Sequence, residues 1–356
     1  MRDEQSILDV LDAASRRRDE RRNFLKTASA AGMAVGGLSL LAACGEDDDN
    51  NSGGGSVTPT PTATATPTPV SDADILNFAL QLEYLEAQYY SYAVFGTGLA
   101  ANLQTGTGTQ GAVINPGAGA GQPRAVNFAG ETLIGQYARE IAADEIAHVA
   151  FLRTALGAGA VAQPAINISG DATGAFTTAA RAAGVIGASA TFDPYASPDN
   201  FLIGAYIFED VGVTAYKGAA PLLSSAVFLE AAAGILAAEA YHAGLVRTIL
   251  YARGQTTAPL ITIAGQISDL RDVLDGSPGD DAIRGIGNDD DQGITATNSA
   301  AGLVSNLVPT NGNALAYSRS PERVLNIVYG TREPAAGGLF FPTGLNGRFR
   351  QSNNNL

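Results

Sequence analysis

Four segments of this chain have the apolar periodicity of amphipathic helices, and each places glutamate in the middle of its apolar stripe. The apolar residues recur every three or four positions, which puts them on one face of a helix. The polar residues that interrupt these stripes are Glu83, Glu145, His148, Glu209, Glu239 and His242. Unpaired charges on buried faces cost several kcal/mol per ion, so we expect the four helices to share a positively charged partner.

Start and stop signals outline the four helices. The first begins after Ser71, a good N-cap residue, and the second runs from about Glu131 to Leu156. The third begins near Pro198, and the fourth covers about Ser224 to Arg253. Alanine and glycine are abundant and tryptophan is absent, which favours closely packed helices over a strand-rich sandwich.

The two halves of the helical region repeat each other. EIAHVAFLRTAL (145–156) and EAYHAGLVRTIL (239–250) share a glutamate, a histidine three residues later and the Arg-Thr pair that follows. Upstream of each, a glutamate is followed by a tyrosine seven residues on, Glu83 by Tyr90 and Glu209 by Tyr216. The pattern indicates a duplicated helix pair.

The chain has two histidines, and each follows a glutamate by three positions. Residues three apart lie on the same helix face, so one glutamate and one histidine can reach the same ion. Four carboxylates and two imidazoles suit two iron or manganese ions, while zinc stays open although it prefers fewer, tetrahedral ligands. The predicted ligands are Glu83, Glu145, His148, Glu209, Glu239 and His242.

Three further residues accompany this predicted centre. Glu86 offers a second acid beside Glu83, and we prefer Glu83 because its Tyr90 mirrors the pair formed by Glu209 and Tyr216. Glu86 is left as a supporting or alternative ligand. Tyr90 and Tyr216 are the candidate catalytic residues, which would tune the metal centre or relay protons and electrons.

These motifs resemble the ferritin-like superfamily, with Glu on helices one and three and Glu-x-x-His on helices two and four. DILNFALQLEYLEAQYY, FEDVGVTAY, RSPERVLNIVYG and GGLFFPTGLNG resemble the branch that includes desiccation-related proteins. The resemblance covers about residues 72–347. It implies an all-α, up-down-down-up four-helix bundle around a dimetal centre. A long crossover follows helix two, and a mostly irregular C-terminal extension with short helices packs on the bundle.

The N-terminal region predicts export. RRNFLK (21–26) resembles a twin-arginine motif, and LAAC, ending at Cys44, resembles a lipobox. We expect a signal peptide (1–43), a lipidated Cys44 opening a Pro/Thr-rich linker (44–70), the bundle (71–254) and the extension (255–356). The expected location is periplasmic or cell-surface, with the membrane as a partner through the lipid. A buried N-terminal helix is the weaker alternative.

Charge and spacing exclude several other functions. The formal net charge is −14, so nucleic acid is a poor partner. The glycine-rich stretch 106–121 follows no strand and lacks the lysine of a phosphate-binding loop. The acidic segment 276–293 lacks the alternating acids and closing glutamate of a calcium loop, so a solvated loop is predicted. Both histidines are used by the metal geometry, which leaves none for a Ser-His-Asp triad.

Two functional hypotheses follow. The first is redox chemistry on a small oxidant, either iron oxidation by oxygen or peroxide or manganese-catalase-like peroxide removal. The second is a non-catalytic structural or desiccation-protective envelope lipoprotein that keeps the bundle and its ligands. A ferritin cage fits poorly with the linker and the long C-terminal extension, and the oligomeric state stays open.

Overall fold

The computed structural model describes residues 69–279, 281, 283–287 and 290–355. The predicted signal peptide (1–43), Cys44 and all but the last two residues of the predicted linker lie outside these described residues.

The described part of the chain is mostly helical, as the sequence predicts. Its α-helices are α1 (Asp72–Phe95), α2 (Thr132–Leu156), α3 (Ala175–Ala182), α4 (Pro198–Ala219), α5 (Ala226–Gly254), α6 (Pro259–Asp275) and α7 (Pro321–Tyr329). A short antiparallel pair, β1 (Thr297–Ser299) and β2 (Gly302–Val304), follows α6. The four predicted helices are α1, α2, α4 and α5, so the all-α prediction is confirmed.

Local sequence signals set the ends of the bundle helices. Ser71 caps α1 in a capping box with Asp74, whose side chain accepts a hydrogen bond from the Ser71 backbone N–H. Gly96 ends α1 in the left-handed conformation, with φ of 73°. Ser197 and Ser225 cap α4 and α5 through their hydroxyls.

The bundle runs up-down-down-up. α1 packs against α2 and α4 against α5 as two hairpins. Asp72 accepts hydrogen bonds from the backbone N–H of Ser224 (2.8 Å) and Ser225 (2.9 Å), so α1 and α5 begin at the same end. α2 and α4 therefore run parallel, and the long crossover between them returns along the bundle. This crossover contains α3, a helix that the sequence analysis missed.

The glycine-rich connection between α1 and α2 packs directly on the crossover. Isolated parallel bridges join Thr107 to Val161 and Val113 to Ile166. A Cβ atom on Gly106 would lie 2.5 Å from the crossover backbone, and one on Gly111 would lie 2.1 Å away. The close approach of the two backbones explains why glycine is needed here.

By length and composition alone, α5 is the one described helix that could cross a membrane. Its buried positions nevertheless include Glu239, His242 and Arg247. A helix with three ionisable side chains on its inner face fits the core of a bundle that uses them.

The C-terminal extension covers the bundle and is more ordered than the sequence predicts, because α6 is 17 residues long. The ring of Phe340 packs 5.0 Å from that of Phe208 on α4 and 5.5 Å from that of Phe176 on α3. Near the C-terminus, Asn346 accepts a hydrogen bond from Gln81 on α1 (2.7 Å) and donates one to the Ala162 carbonyl (2.9 Å). The tail motif therefore joins α1 to the crossover.

Candidate metal centre

The structure brings all six predicted ligands together at the middle of the bundle. Glu83 comes from α1, Glu209 from α4, and the two Glu-x-x-His motifs from α2 and α5. Glu83, Glu145 and Glu239 are fully buried. The side chain of His148 is 12% exposed against 4% for His242, so the centre is nearest to solvent at His148.

The six side chains form two overlapping groups. The first group consists of Glu83, Glu145, His148 and Glu239, with one donor atom of each within 4.8 Å of the others. Nδ1 of His148 lies 3.2 Å from Oε2 of Glu83 and 3.5 Å from Oε1 of Glu239. Its distance to Oε2 of Glu145 is 3.7 Å.

The second group consists of Glu145, Glu209 and His242. Nδ1 of His242 lies 3.0 Å from Oε1 of Glu145 and 3.7 Å from Oε2 of Glu209. Glu145 belongs to both groups and directs a different oxygen to each histidine. The imidazole centroids are 6.2 Å apart, so two neighbouring ions would share Glu145 as a bridge.

The two candidate tyrosines contact the outer glutamates. The Tyr90 hydroxyl donates a hydrogen bond to Oε1 of Glu209, and the Tyr216 hydroxyl donates one to Oε1 of Glu83. Burial and then the adjacent carboxylate charge raise the pKa of both tyrosines well above the usual value. Both phenols therefore stay protonated as donors.

Asp144 is a further residue of the site that the sequence analysis missed. Its Oδ2 lies 3.1 Å from Nε2 of His242, and its side chain is 47% exposed. A carboxylate behind a ligating imidazole fixes the ring and its tautomer. The sequence gives one signal for it. Asp144 directly precedes Glu145, whereas the residue before Glu239 in the other half is Ala238.

Burial shifts the protonation of the central carboxylates. It raises the pKa of Glu145 to about 8, with the charge of Glu83 as the next cause. It raises the pKa of Glu239 to about 8, with the charge of Glu145 adding to the shift. Burial alone would lower the pKa of His148, but the nearby carboxylates of Glu145, Glu239 and Glu83 raise it overall.

The donor set fits a pair of divalent cations. Six buried atoms of the centre have no hydrogen-bond partner: both carboxylate oxygens of Glu145 and of Glu239, Oε2 of Glu209 and Nδ1 of His242. Buried polar atoms are normally paired, and each unpaired one costs about 1–3 kcal/mol. Carboxylate oxygens with imidazole nitrogen are the ligands that iron and manganese take in helical bundles.

A second group of buried acids lies under the C-terminal extension, where the predicted solvated loop (276–293) is exposed at residues 277–279, 283 and 284 but buried at Asp290 and Asp291. Asp290 and Asp291 are only 2% and 4% exposed. Arg319 pairs with both, at 3.0 Å and 3.1 Å, and Arg323 pairs with Asp290 at 2.7 Å. Arginines already neutralise these carboxylates, so the cluster anchors the extension and differs from the arginine-free centre of the bundle.

Comparison with known protein families agrees with this geometry. The ferritin-like domain family matches residues 71–252, from the N-cap of α1 to the last turn of α5. The chain belongs to the ferritin-like domain family. The match contains all six predicted ligands and both tyrosines.

Two curated proteins resemble the chain beyond the bundle. Desiccation-related protein PCC13-62 of Craterostigma plantagineum is 29% identical over 290 residues, which cover 78% of this chain and 84% of that protein. Ferritin-like catalase Nec2 of Nesocodon mauritianus is 26% identical over 293 residues, with the same shares covered. No solved structure was found to match the chain.

Proposed function

We propose that this ferritin-like protein binds two iron or manganese ions and uses them to remove hydrogen peroxide. The observation that supports the proposal best is the set of six buried, unpaired donor atoms between two histidines that share Glu145. Burying these atoms without a partner destabilises the fold, and bound cations would give each of them a partner. Glu83, Glu145, His148 and Glu239 would hold one ion, and Glu145, Glu209 and His242 the other.

Two bound redox-active ions supply the two-electron exchange that turns two molecules of hydrogen peroxide into two of water and one of dioxygen. The chain would position the two ions. In the metal-free protein, burial raises the pKa of Glu145 and Glu239 to about 8, so both hold protons near neutral pH that bound ions would displace. His148, the most exposed ligand, marks the side from which a small oxidant would enter.

The choice of peroxide over other oxidants is supported by one relative. Nec2 carries the name ferritin-like catalase and is 26% identical to this chain. Iron oxidation by oxygen or peroxide uses the same donor set and is the alternative within the same class.

The direct test is an oxygen-release assay on the purified full chain loaded with Mn²⁺, and separately with Fe²⁺, after addition of peroxide. We expect faster oxygen release than from the same concentration of free metal. Single variants His148→Ala and His242→Ala should each lose most of this activity while the helical content is retained, because the two-electron step needs both ions. A loaded wild-type protein no faster than free metal would refute the enzymatic proposal.

A protective, non-catalytic role is the second candidate, favoured by the relative named desiccation-related protein. In that role the ions would act as a structural clamp between four helices. The clamp predicts a large metal-dependent rise in Tm together with no turnover of peroxide. Peroxide turnover and the change in Tm can both be measured on the same metal-loaded protein.

We further propose that the protein acts outside the cytoplasm, held to a membrane by a lipid on Cys44. The support is the order of RRNFLK, an uncharged stretch and LAAC in the sequence. A peroxide-removing or protective protein placed there would meet external stress first.

A further inference from the structure

The two halves of the site differ at one position that faces the carboxylates. Residues of α1 and α4 correspond at a constant offset, Glu83 with Glu209 and Tyr90 with Tyr216. One turn after the ligand, the same offset pairs Glu86 with Gly212. The first half therefore carries an extra carboxylate where the second half carries no side chain.

Gly212 leaves open a space that two carboxyl groups occupy. A Cβ atom on residue 212 would lie 2.6 Å from Oε2 of Glu239 and 3.3 Å from Oε1 of Glu86. A Cβ contact as short as the first of these essentially never occurs, so a side chain at residue 212 would displace the Glu239 carboxyl group. The missing side chain on α4 thus leaves a recess in which an oxygen of Glu239 and one of Glu86 both fit.

Nothing apolar nearby can satisfy Glu86. The residue is 5% exposed and borders a small cavity whose other lining residues, such as Leu82, Phe208 and Val328, are apolar. On its other side lies Glu239, whose Oε2 has no hydrogen-bond partner. Two carboxyl groups that meet in an apolar recess need a proton or a metal cation between or beside them.

The number of side chains in each group distinguishes the two proposed ions. Oε1 of Glu239 is directed to His148, whereas Oε2 is directed to Gly212, one turn after Glu209 on α4. The group around His148 has four protein side chains, but the group around His242 has only three. The group around His242 is therefore the one that lacks a fourth side chain.

We propose that Glu86 is an additional metal-binding carboxylate, admitted by Gly212, that completes the metal position of Glu209 and His242. The inference rests on the proposed metal centre and deepens it. A lone carboxylate on one half makes the two positions unequal, with Glu86 acting on the ion at His242 and not on the ion at His148.

Single-site backgrounds of the full chain test this assignment. His148→Ala keeps only the metal position at His242, and His242→Ala keeps only the one at His148. Mn²⁺ binding to each variant is measured by calorimetry and by the six-line electron paramagnetic resonance signal of free Mn²⁺. Adding Glu86→Gln should weaken Mn²⁺ binding about 10–100-fold in the His148→Ala background. Glu86→Gln should change Mn²⁺ binding less than about threefold in the His242→Ala background, because the ion that Glu86 would bind is absent there.

Gly212→Ala should also weaken Mn²⁺ binding in the His148→Ala background by filling the recess, and it should act on the His148 position as well, because its Cβ meets Oε2 of Glu239. The matched control is Gly234→Ala on α5, because a Cβ there meets no atom within 4 Å. Glu140→Gln, an exposed acid on α2, controls for the loss of one negative charge. Circular dichroism checks that each variant is folded, and Glu86→Gln carries the test if Gly212→Ala does not fold.

Three results would overturn the inference. Equal weakening in both backgrounds would make Glu86 a general electrostatic contributor, and no weakening in either would remove it from the site. Weakening confined to the His242→Ala background would assign Glu86 to the other ion. A wild-type chain that binds no Mn²⁺ or Fe²⁺ would instead refute the metal centre itself.

Discussion

The hydroxyl of Tyr90 on α1 donates its hydrogen bond to Glu209 on α4, which lies in the other half of the repeat. The hydroxyl of Tyr216 on α4 likewise donates a hydrogen bond to Glu83 on α1. Sequence spacing associates each tyrosine with the glutamate seven residues before it, but the fold exchanges the partners. Because α1 and α4 run antiparallel, a tyrosine two turns beyond one ligand reaches the ligand of the opposite helix. Each proposed metal position therefore depends partly on a tyrosine from the other half.

This exchange predicts crossed effects of tyrosine substitution. Tyr90→Phe removes the donor from Glu209 and should weaken the ion at His242 about 10-fold. Tyr216→Phe removes the donor from Glu83 and should weaken the ion at His148 by a similar factor. Mn²⁺ titration in the single-histidine backgrounds measures both, and Tyr241→Phe, on a side chain that is 76% exposed, is the control. Uncrossed effects would show that the tyrosines act through their own helices.

The raised carboxylate pKa values predict how stability depends on pH. In the metal-free protein, burial raises the pKa of Glu145 and Glu239 from 4.5 to about 8. Their stabilising contribution is complete below pH 4.5 and is lost as the pH rises through about 8. The free energy of unfolding should therefore fall from pH 5.5 to pH 8.5 without metal. Mn²⁺ displaces these protons, so its stabilising effect should grow over the same range.

Urea unfolding at the two pH values, with Mn²⁺ and with a chelator, measures this dependence. A Glu145→Gln/Glu239→Gln double variant removes both titrating groups and should flatten the metal-free profile. Burial also raises the pKa of Asp272 to about 8, so a shallower slope of the same sign should remain in that variant. A metal-free wild type that gains stability toward pH 8.5 would contradict the account.

The arginine cluster predicts where the C-terminal extension is most sensitive. Arg319 is fully buried and pairs with Asp275, Asp290 and Asp291 at 2.6–3.1 Å. Arg319→Ala should lower the free energy of unfolding by about 3–5 kcal/mol, because it leaves buried carboxylates without a cation. Arg284→Ala breaks an exposed pair and should change it by less than about 1 kcal/mol. Similar effects of the two variants would show that the cluster does not anchor the extension.

The proposed lipid anchor has its own measurement. In the native host, intact mass should show a chain that has lost residues 1–43 and gained a diacylglycerol on Cys44. Cys44→Ser should release the protein from the membrane fraction, because a lipid of two acyl chains supplies the attachment. Intact residues 1–43 on a protein found outside the membrane fraction would argue against export as a lipoprotein.

The parts of the site that follow helical periodicity could be predicted from the sequence. Glu83, Glu145, Glu209 and Glu239 stand at positions of apolar stripes where a charge is conspicuous, and helix geometry fixes which face each occupies. The all-α fold follows from the same spacing together with the caps at Ser71 and Ser197.

The remaining features depend on contacts between distant segments, which local spacing does not encode. Asp144 reaches His242 from another helix, and the recess at Gly212 exists only because α4 packs against α1 and α5. Asp290 and Asp291 stand in a segment rich in glycine and acid, and their burial depends on Arg319 and Arg323 nearly thirty or more residues later. No periodic pattern marks such pairings in advance.

The central claim is that two overlapping groups of side chains bind two ions, and metal analysis of the purified full chain tests it most directly. After loading with Mn²⁺ or Fe²⁺ and removal of loose metal, we expect close to two ions per chain. His148→Ala and His242→Ala should each retain about one, and Glu145→Ala should disturb both because its two oxygens face different histidines. A wild-type chain without metal after both loadings, or histidine variants that keep two ions, would contradict the account.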